Sequence, residues 1–331
     1  MFVRRILIAA AVFAASVLSI APPVAAMETI KLSSCLARTD GLTTAFMDTY
    51  VKPFEEKAKG LATIKYLGGP EITPGTKQAG ALRRGLMDMI FCPASYYSGQ
   101  VLEAKLLPVG NVPVWEMRKN GAMDMLQEAW AKVLNARIIG YCCNDTPFNI
   151  YLVDEPKFLA NGNIDLNRIK LRSTALYNAP FKALGGTPIT MPASEIYTGL
   201  QRGVVTGFGW PETSVVALGV KDVVKYKIEP GFFRGTNVAI MNLDSYKALS
   251  AKVRAIVDSV GEQFERDSIP YMEKQVAADV ATLKQSGMKI VTLSDSGRKA
   301  FLKTLYDAAW KDMEGRKFAV DYNKLKSLMY K

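Results

Sequence analysis

Histidine is absent from all 331 residues. That removes the commonest general base and metal ligand, so Ser-His-Asp and Cys-His mechanisms are excluded. Cysteine is scarce. Cys35, Cys92, Cys142 and Cys143 are the four. None stands in a CxxC spacing, so no zinc site is expected. No paired acidic motif supports acid–base catalysis, and nothing calls for a cofactor or metal; the chain does not read as an enzyme. Dense Lys/Arg tracts and low-complexity segments are also missing. Beyond residue 26 no run is long and apolar enough to span a bilayer, so the mature chain is not expected to be membrane-embedded.

The start of the chain is different. Arg4 and Arg5 precede an apolar run, Ile6 to Ile20, broken only by Ser16 and Ser19. Val24-Ala25-Ala26 then supplies small residues for a cleavage site. This is the layout of a secretory signal peptide, residues 1–26, and it predicts a periplasmic protein. Cys35 after Leu32-Ser33-Ser34 loosely imitates a lipoprotein box, but Glu28 and Lys31 part it from the apolar run. The full chain carries 42 Lys+Arg against 31 Asp+Glu, a net charge of +11. The basic balance survives removal of the leader. It fits a solvated basic surface or a small anionic ligand; export argues against nucleic acid.

The pattern strand, helix, strand, helix, strand occurs twice. In the first round Glu28 to Ser34 reads as a strand, followed by Leu42, Phe46, Tyr50, Phe54 and Ala58 on one helix face. Ala62 to Leu67, a helix over Thr76 to Arg84, and the strand Met87 to Cys92 complete it. In the second, Arg168 to Arg172 is a strand, Thr174 to Leu184 a helix stopped by Gly185-Gly186, and Thr187 to Met191 a strand. A helix capped by Ser194 and the strand Val204 to Trp210 follow. The rounds echo each other: Leu82-Arg83-Arg84-Gly85 leads to Cys92-Pro93 as Leu200-Gln201-Arg202-Gly203 leads to Trp210-Pro211. Asn149 to Val153 carries the chain across and Asn237 to Asn242 carries it back. Ser245 to Gly287 is helical, with a break or kink at Pro270. Ile290 to Thr292 is a short strand and Ser296 to Lys311 a last helix. The expected fold is α/β: two doubly wound domains with a ligand cleft between them, joined by crossing strands and a long helix. Domain I takes residues 27–149 plus 240–331, and domain II takes 150–239.

Arg172 is the foremost candidate. It ends a strand at the cleft edge, where a guanidinium can hold a carboxylate bidentately. An ordinary surface arginine is the competing reading. Trp210 ends the matching strand, where it can wall a pocket or fill a core, and Phe208 alternates onto its face. Asn149, Tyr96, Asn237 and Arg38 fall at strand ends or crossings. Cys35, Cys92 and Cys142 also fall at strand ends; they read as buried small residues rather than a cluster near the cleft. The periplasm permits a disulfide, but a Cys142–Cys143 vicinal bridge would be strained.

The stretch from Arg168 to Gly207 resembles the solute receptors of tripartite ATP-independent periplasmic (TRAP) transporters, in the family named for its dicarboxylate-binding member. The residues are Ile169-Lys170-Leu171-Arg172-Ser173, Phe181-Lys182-Ala183-Leu184-Gly185-Gly186-Thr187-Pro188, Met191-Pro192-Ala193-Ser194-Glu195-Ile196-Tyr197 and Leu200-Gln201-Arg202-Gly203. The resemblance implies closure of two domains around a ligand and delivery to a membrane permease, and it places the family's carboxylate-binding arginine on Arg172. Two departures stand out. Gly207-Phe208-Gly209-Trp210-Pro211 replaces the family's Gly-Gln-Glu-Asn-Pro, and Asn149 stands where many members carry a second cleft arginine. Losing a cation and gaining an indole points to a monocarboxylate with an apolar or aromatic body. The alternatives are a dicarboxylate or sugar acid in the same receptor, or an exported enzyme or sensor on the same scaffold.

Overall fold

The structure, a computed structural model, describes residues 27–142 and 146–331. The expected leader and Cys143 lie outside the described residues. Among the described residues no helix is long and apolar enough to cross a membrane.

Among the described residues fourteen strands run in chain order: β1 Glu28–Ser34, β2 Ala62–Gly68, β3 Met89–Pro93, β4 Ala136–Cys142, β5 Pro147–Leu152, β6 Lys157–Phe158, β7 Ile164–Asp165, β8 Lys170–Ser173, β9 Thr187–Thr190, β10 Gly207–Pro211, β11 Tyr226–Glu229, β12 Phe232–Arg234, β13 Asn237–Asn242 and β14 Lys289–Thr292. The first sheet has the order β2-β1-β3-β13-β4, and the second runs β14-β11-β5-β10-β8-β9, with β12 paired to β5. In each, three parallel strands meet one antiparallel crossing strand: β13 beside β3 in the first, β5 beside β10 in the second. Two α/β lobes result, as the doubled pattern implied.

The sequence echo is a structural one. After each Leu-x-Arg-Gly unit the glycine takes a left-handed turn, φ 74° at Gly85 and 66° at Gly203. The next amide then bonds back into the helix, Leu86 N to Ala81 O and Val204 N to Gly199 O. This closing turn uses the residues that were expected to open the strands. Strands β3 and β10 therefore begin two or three residues late and run on through Pro93 and Pro211. Likewise Arg168, at φ 66°, sits in a turn, and β8 starts at Lys170. The helix expected from Thr174 is only Asn178–Ala183, because residues 174–177 form a turn closed by Tyr177 N to Thr174 O. Ser194 makes no capping bond; a single 3-10 turn, Ala193–Glu195, leads into the helix Ile196–Gln201.

The face carrying Leu42, Phe46, Tyr50, Phe54 and Ala58 is buried. A strict four-residue spacing overshoots the 3.6-residue turn. The chain absorbs the drift by widening to a π turn over Met47–Val51, so the rings stay on one side. Phe46 stacks on Phe91 at 4.4 Å and on Tyr50 at 4.8 Å.

One helix, Ala251–Gln285, ties the lobes together. A break or kink was expected at Pro270; the helix continues through it. Burial on both sides of the proline, by Val253, Val257, Val260 and Phe264 before it and Met272 and Leu283 after, outweighs the missing amide. Gly261 allows the helix to lie on β4, since a Cβ there would come 2.0 Å from Ile139 O. Within the region 240–331, the part from Lys289 to Met313 differs from its expected place. β14 pairs with β11 of the second sheet, and Phe301 of the helix Asp295–Met313 packs on Phe232 at 5.8 Å. The open edge of β11 offered Ile290 and Val291 a partner. The last helix, Tyr322–Met329, returns to the first lobe, where Asn111 N and Val112 N bond to Met329 O.

Where the lobes and the long helix meet, two carboxylates flank one serine. Asp40 Oδ1 accepts from Leu42 N at 2.9 Å, capping Gly41–Phe46, and from Ser214 Oγ at 3.2 Å. Ser214 N donates to Asp279 Oδ2 of the long helix at 2.5 Å. Burial pushes the Asp40 carboxyl up to about 6, with the facing Asp279 charge adding to it and the hydrogen bonds from Leu42 N, Ser214 Oγ and the Thr43 backbone opposing it. A raised carboxyl pKa favours the protonated native state. Its stabilisation is complete below the ordinary value near 3.8 and is lost as pH climbs through about 6. The span is worth at most about 3 kcal/mol. Asp40→Asn keeps the cap and the serine contact while removing the charge. It should match the parent's melting temperature near pH 4 and exceed it at pH 7.5; a constant offset across that range would contradict the account.

Candidate functional site

Both crossing strands deliver residues to one spot. β13 pairs Asn237 with Pro93, and β5 pairs Phe148 with Pro211. These are equivalent positions in the two lobes, and all four line one pocket of about 400 Å³ with its mouth included. Leu42, Ser95, Tyr96, Arg172, Tyr177, Trp210, Gly235 and Thr236 complete the lining. A larger space of about 600 Å³ opens between the lobes near Asp40, Ser194 and Tyr197, but no lysine or arginine lines it among the described residues.

Arg172 sits in β8, level with Phe208 of β10, and is 1% exposed. Its Nε donates to Met191 O at 3.0 Å and its Nη2 to Tyr96 Oη at 3.4 Å. Those two atoms form one edge of the guanidinium fork, so the outer Nη1–Nη2 edge remains for another partner. No carboxylate lies within ion-pair distance of it among the described residues. Its charge lies against the Trp210 ring, 5.3 Å from the centroid. A buried guanidinium without a counter-charge is costly, and an anion at the free edge removes the cost.

Tyr96 comes from the other lobe. Its hydroxyl accepts from Arg172 and, at 3.0 Å, from Ala193 N, so it bridges the cleft twice. Gly75 makes room for it: a Cβ there would lie 2.9 Å from the tyrosine ring and 2.5 Å from Cys35 O. The apolar wall is Phe148 stacked on Tyr177 at 4.4 Å, with Trp210 beside them. Burial pushes the Tyr177 phenol well up from its ordinary value, against the nearby Arg172 charge, so it stays neutral. Trp210 Nε1 and Asn237 Nδ2 are buried without a hydrogen-bond partner.

Of the residues singled out in the sequence, Arg172, Trp210, Tyr96 and Asn237 come together here. Phe208, Asn149 and Arg38 do not line the pocket. Phe208 shares its side of β10 with Trp210 but lies two residues further from the strand end, where it is fully buried and stacks on Tyr151 at 5.1 Å. Asn149 turns its amide to Ile228 O at 2.9 Å. Arg38 is exposed, over the Tyr66 ring at 5.8 Å. Cys35 and Cys92, expected as simple buried residues, form a disulfide between the ends of β1 and β3 with Cα atoms 4.9 Å apart. Sequence reasoning missed Tyr177 as a lining residue. Its signal was an aromatic just past the strand that carries Arg172, hidden by the helix assigned there.

Gly209 holds the wall close. A Cβ there would meet Phe148 at 2.6 Å and Phe181 at 2.8 Å. Gly209→Ala should therefore cost about 1–3 kcal/mol in urea unfolding through overpacking; an unchanged midpoint and slope would show that the wall yields freely.

Comparison with known proteins agrees with this architecture. Residues 161–316 match the family described as bacterial extracellular solute-binding protein, family 7. A solute-binding protein of Albidiferax ferrireducens is 23% identical over 294 residues, covering 81% of each chain. An extracytoplasmic solute receptor of Bordetella pertussis binding pyroglutamic acid superposes with a TM-score of 0.78 at 18% identity, over 91% of this chain and 99% of that one. A TRAP periplasmic solute-binding protein of Desulfovibrio salexigens with bound orotic acid gives 0.79 at 15% identity, over 91% and 97%. In fold, and over residues 161–316 in sequence, the chain resembles the TRAP solute-binding receptors.

Proposed function

We propose, starting from this resemblance to TRAP solute receptors, that the chain is the periplasmic solute-binding receptor of a TRAP-type transporter. It captures a monocarboxylate with an apolar or aromatic body and presents it to membrane permease subunits. The proteins it resembles are receptors for organic solutes, not enzymes. Residues 1–26 act as the leader for export.

The buried, uncompensated Arg172 carries the reading. A ligand carboxylate takes its outer edge, while Phe148, Tyr177 and Trp210 enclose the ligand body. A single negative charge suffices. No second arginine or lysine lines the pocket among the described residues. Since Cys92 matches Trp210 in the echo, strand register makes Ser33 the first-lobe equivalent of Arg172. Ser33 is fully buried, and its hydroxyl donates to Gly68 O. A diacid would thus leave one charge buried and unpaired. The pyroglutamic and orotic acids of the two structural relatives each carry one carboxylic acid, in keeping with this choice.

A thermal-shift screen of organic acids tests the reading, because a ligand that binds only the native state raises the melting temperature. Monocarboxylates should raise it and tartrate or malate should not. Arg172→Ala should remove the ligand-dependent increment, a loss of more than about a hundredfold in affinity. The unliganded variant should melt no lower than the parent, since the substitution deletes a buried charge. An increment that survives the substitution would refute the anchor role.

A further inference from the structure

The seam between the lobes holds a charge arrangement that solute capture at Arg172 does not use. Asp40 follows β1 of the first lobe, Ser214 follows β10 of the second, and Asp279 belongs to the long helix Ala251–Gln285. All three are buried, with exposures of 4%, 1% and 6%. The serine is held from both sides. Its Oγ donates to Asp40 Oδ1 at 3.2 Å and its N–H to Asp279 Oδ2 at 2.5 Å. Its backbone takes a left-handed φ of 65°, uncommon for a residue with a side chain, and the two bonds help to fix it there. Gly41 lets the seam close: a Cβ there would lie 2.9 Å from Ser214 Oγ and 3.3 Å from Gln275 Cγ.

Two buried carboxylates on one serine repel each other. Neither has a lysine or arginine within ion-pair distance among the described residues. Around Asp40, its own helix gives Leu42 N and the Thr43 backbone, and the second lobe gives Ser214. The long helix gives Asp279, whose Oδ1 accepts from Gln275. Arg38, two residues before it, is exposed and lies over Tyr66. Tyr197, a phenol, shares the inter-lobe space that Asp40 lines. Burial holds the Asp279 carboxyl above its ordinary value too.

The repulsion can be relieved in two ways. A proton on Asp40 Oδ2 leaves the bonds from Leu42 N and Ser214 Oγ in place, since both end on Oδ1. Parting the lobes is the other way. Asp40 lines the space of about 600 Å³ between them, so separation gives its carboxylate to water, while Asp279 stays bonded to the second lobe through Ser214 N. The lobes-together state therefore binds the proton more tightly than the parted state. Its advantage is complete below the ordinary carboxyl value near 3.8 and is lost as pH rises through about 6. The chain has no histidine, so a transition near pH 6 is left to a shifted carboxyl.

We propose that Asp40, Ser214 and Asp279 form a proton-operated latch: protonated Asp40 keeps the lobes together at this seam, and ionised Asp40 promotes their separation. For a receptor of the kind proposed above, acid then favours retention of the solute and neutral pH its release.

Double electron–electron resonance on the mature chain without ligand tests this, whichever acid the cleft holds. Spin labels go on Lys77→Cys of the first lobe and Thr198→Cys of the second, both exposed, with no reductant so that the Cys35–Cys92 bridge stays closed. The ratio of short to long inter-lobe distances should rise about tenfold from pH 7.5 to pH 5, as a carboxyl moving between about 6 and its ordinary value implies. Asp40→Asn keeps the acceptor and lacks the charge, so its ratio should be the same at both pH values and as high as the parent's at pH 5. Ser214→Ala removes the hydroxyl that crosses the seam and should lower the short-distance fraction at pH 5. A parent distribution that does not change with pH, or an Asp40→Asn variant that shifts as the parent does, overturns the latch. Either result leaves the anchor role of Arg172 standing, and a solute increment that survives Arg172→Ala leaves the latch standing.

Discussion

The buried charge of Arg172 is the constraint around which the rest of the cleft is arranged. A guanidinium taken out of water needs compensation on every nitrogen. The protein supplies part of it, with one carbonyl of its own lobe, one phenol of the other lobe and the face of an indole. None of these carries a full negative charge. The remaining demand is directional, because the free edge of the fork is planar and fixed by the two bonds behind it. The same bonds give the lobes a reason to meet: Tyr96 of one lobe reaches both Arg172 and the Ala193 amide of the other. Compensation of the buried charge and contact between the lobes are thus served by one small network.

That network depends on backbone features remote from chemistry. Gly75 lets a helix start against Cys35 and Tyr96, and Gly209 lets Phe148 and Phe181 press on β10. The two crossing strands then bring Asn237 and Phe148 opposite the prolines that end β3 and β10. A pocket made from the ends of strands needs each strand to stop at a set level, and the prolines with the left-handed glycines before them set it.

Much of this was legible in the sequence, for identifiable reasons. Arg172 and Trp210 stood at strand ends preceded by period-two alternation and helix-stop glycines, which are local signals. The doubled Leu-x-Arg-Gly unit gave the two lobes. What escaped was whatever depends on partners far along the chain. Phe208 and Trp210 alternate identically with other candidates in sequence, yet one stacks on Tyr151 inside the core and the other borders the pocket. Asn149 looked like a ligand contact until the backbone of β11 claimed its amide. Pairing of Cys35 with Cys92 required knowing that β1 and β3 are neighbours. β14 joined the second sheet because an edge was open there, which spacing alone does not reveal. Pro270 shows the reverse case, a strong local breaker overridden by packing on both sides.

The disulfide makes the two lobes unlike in compliance. It welds the ends of β1 and β3 just beneath Tyr96, whereas the equivalent positions of the second lobe are Thr174 and Trp210, which no covalent bond joins. One side of the cleft is therefore covalently braced. The other carries the charge, and no covalent bond ties its equivalent strand ends. The cleft is built like a vice with one braced face and one face held by packing and hydrogen bonds alone.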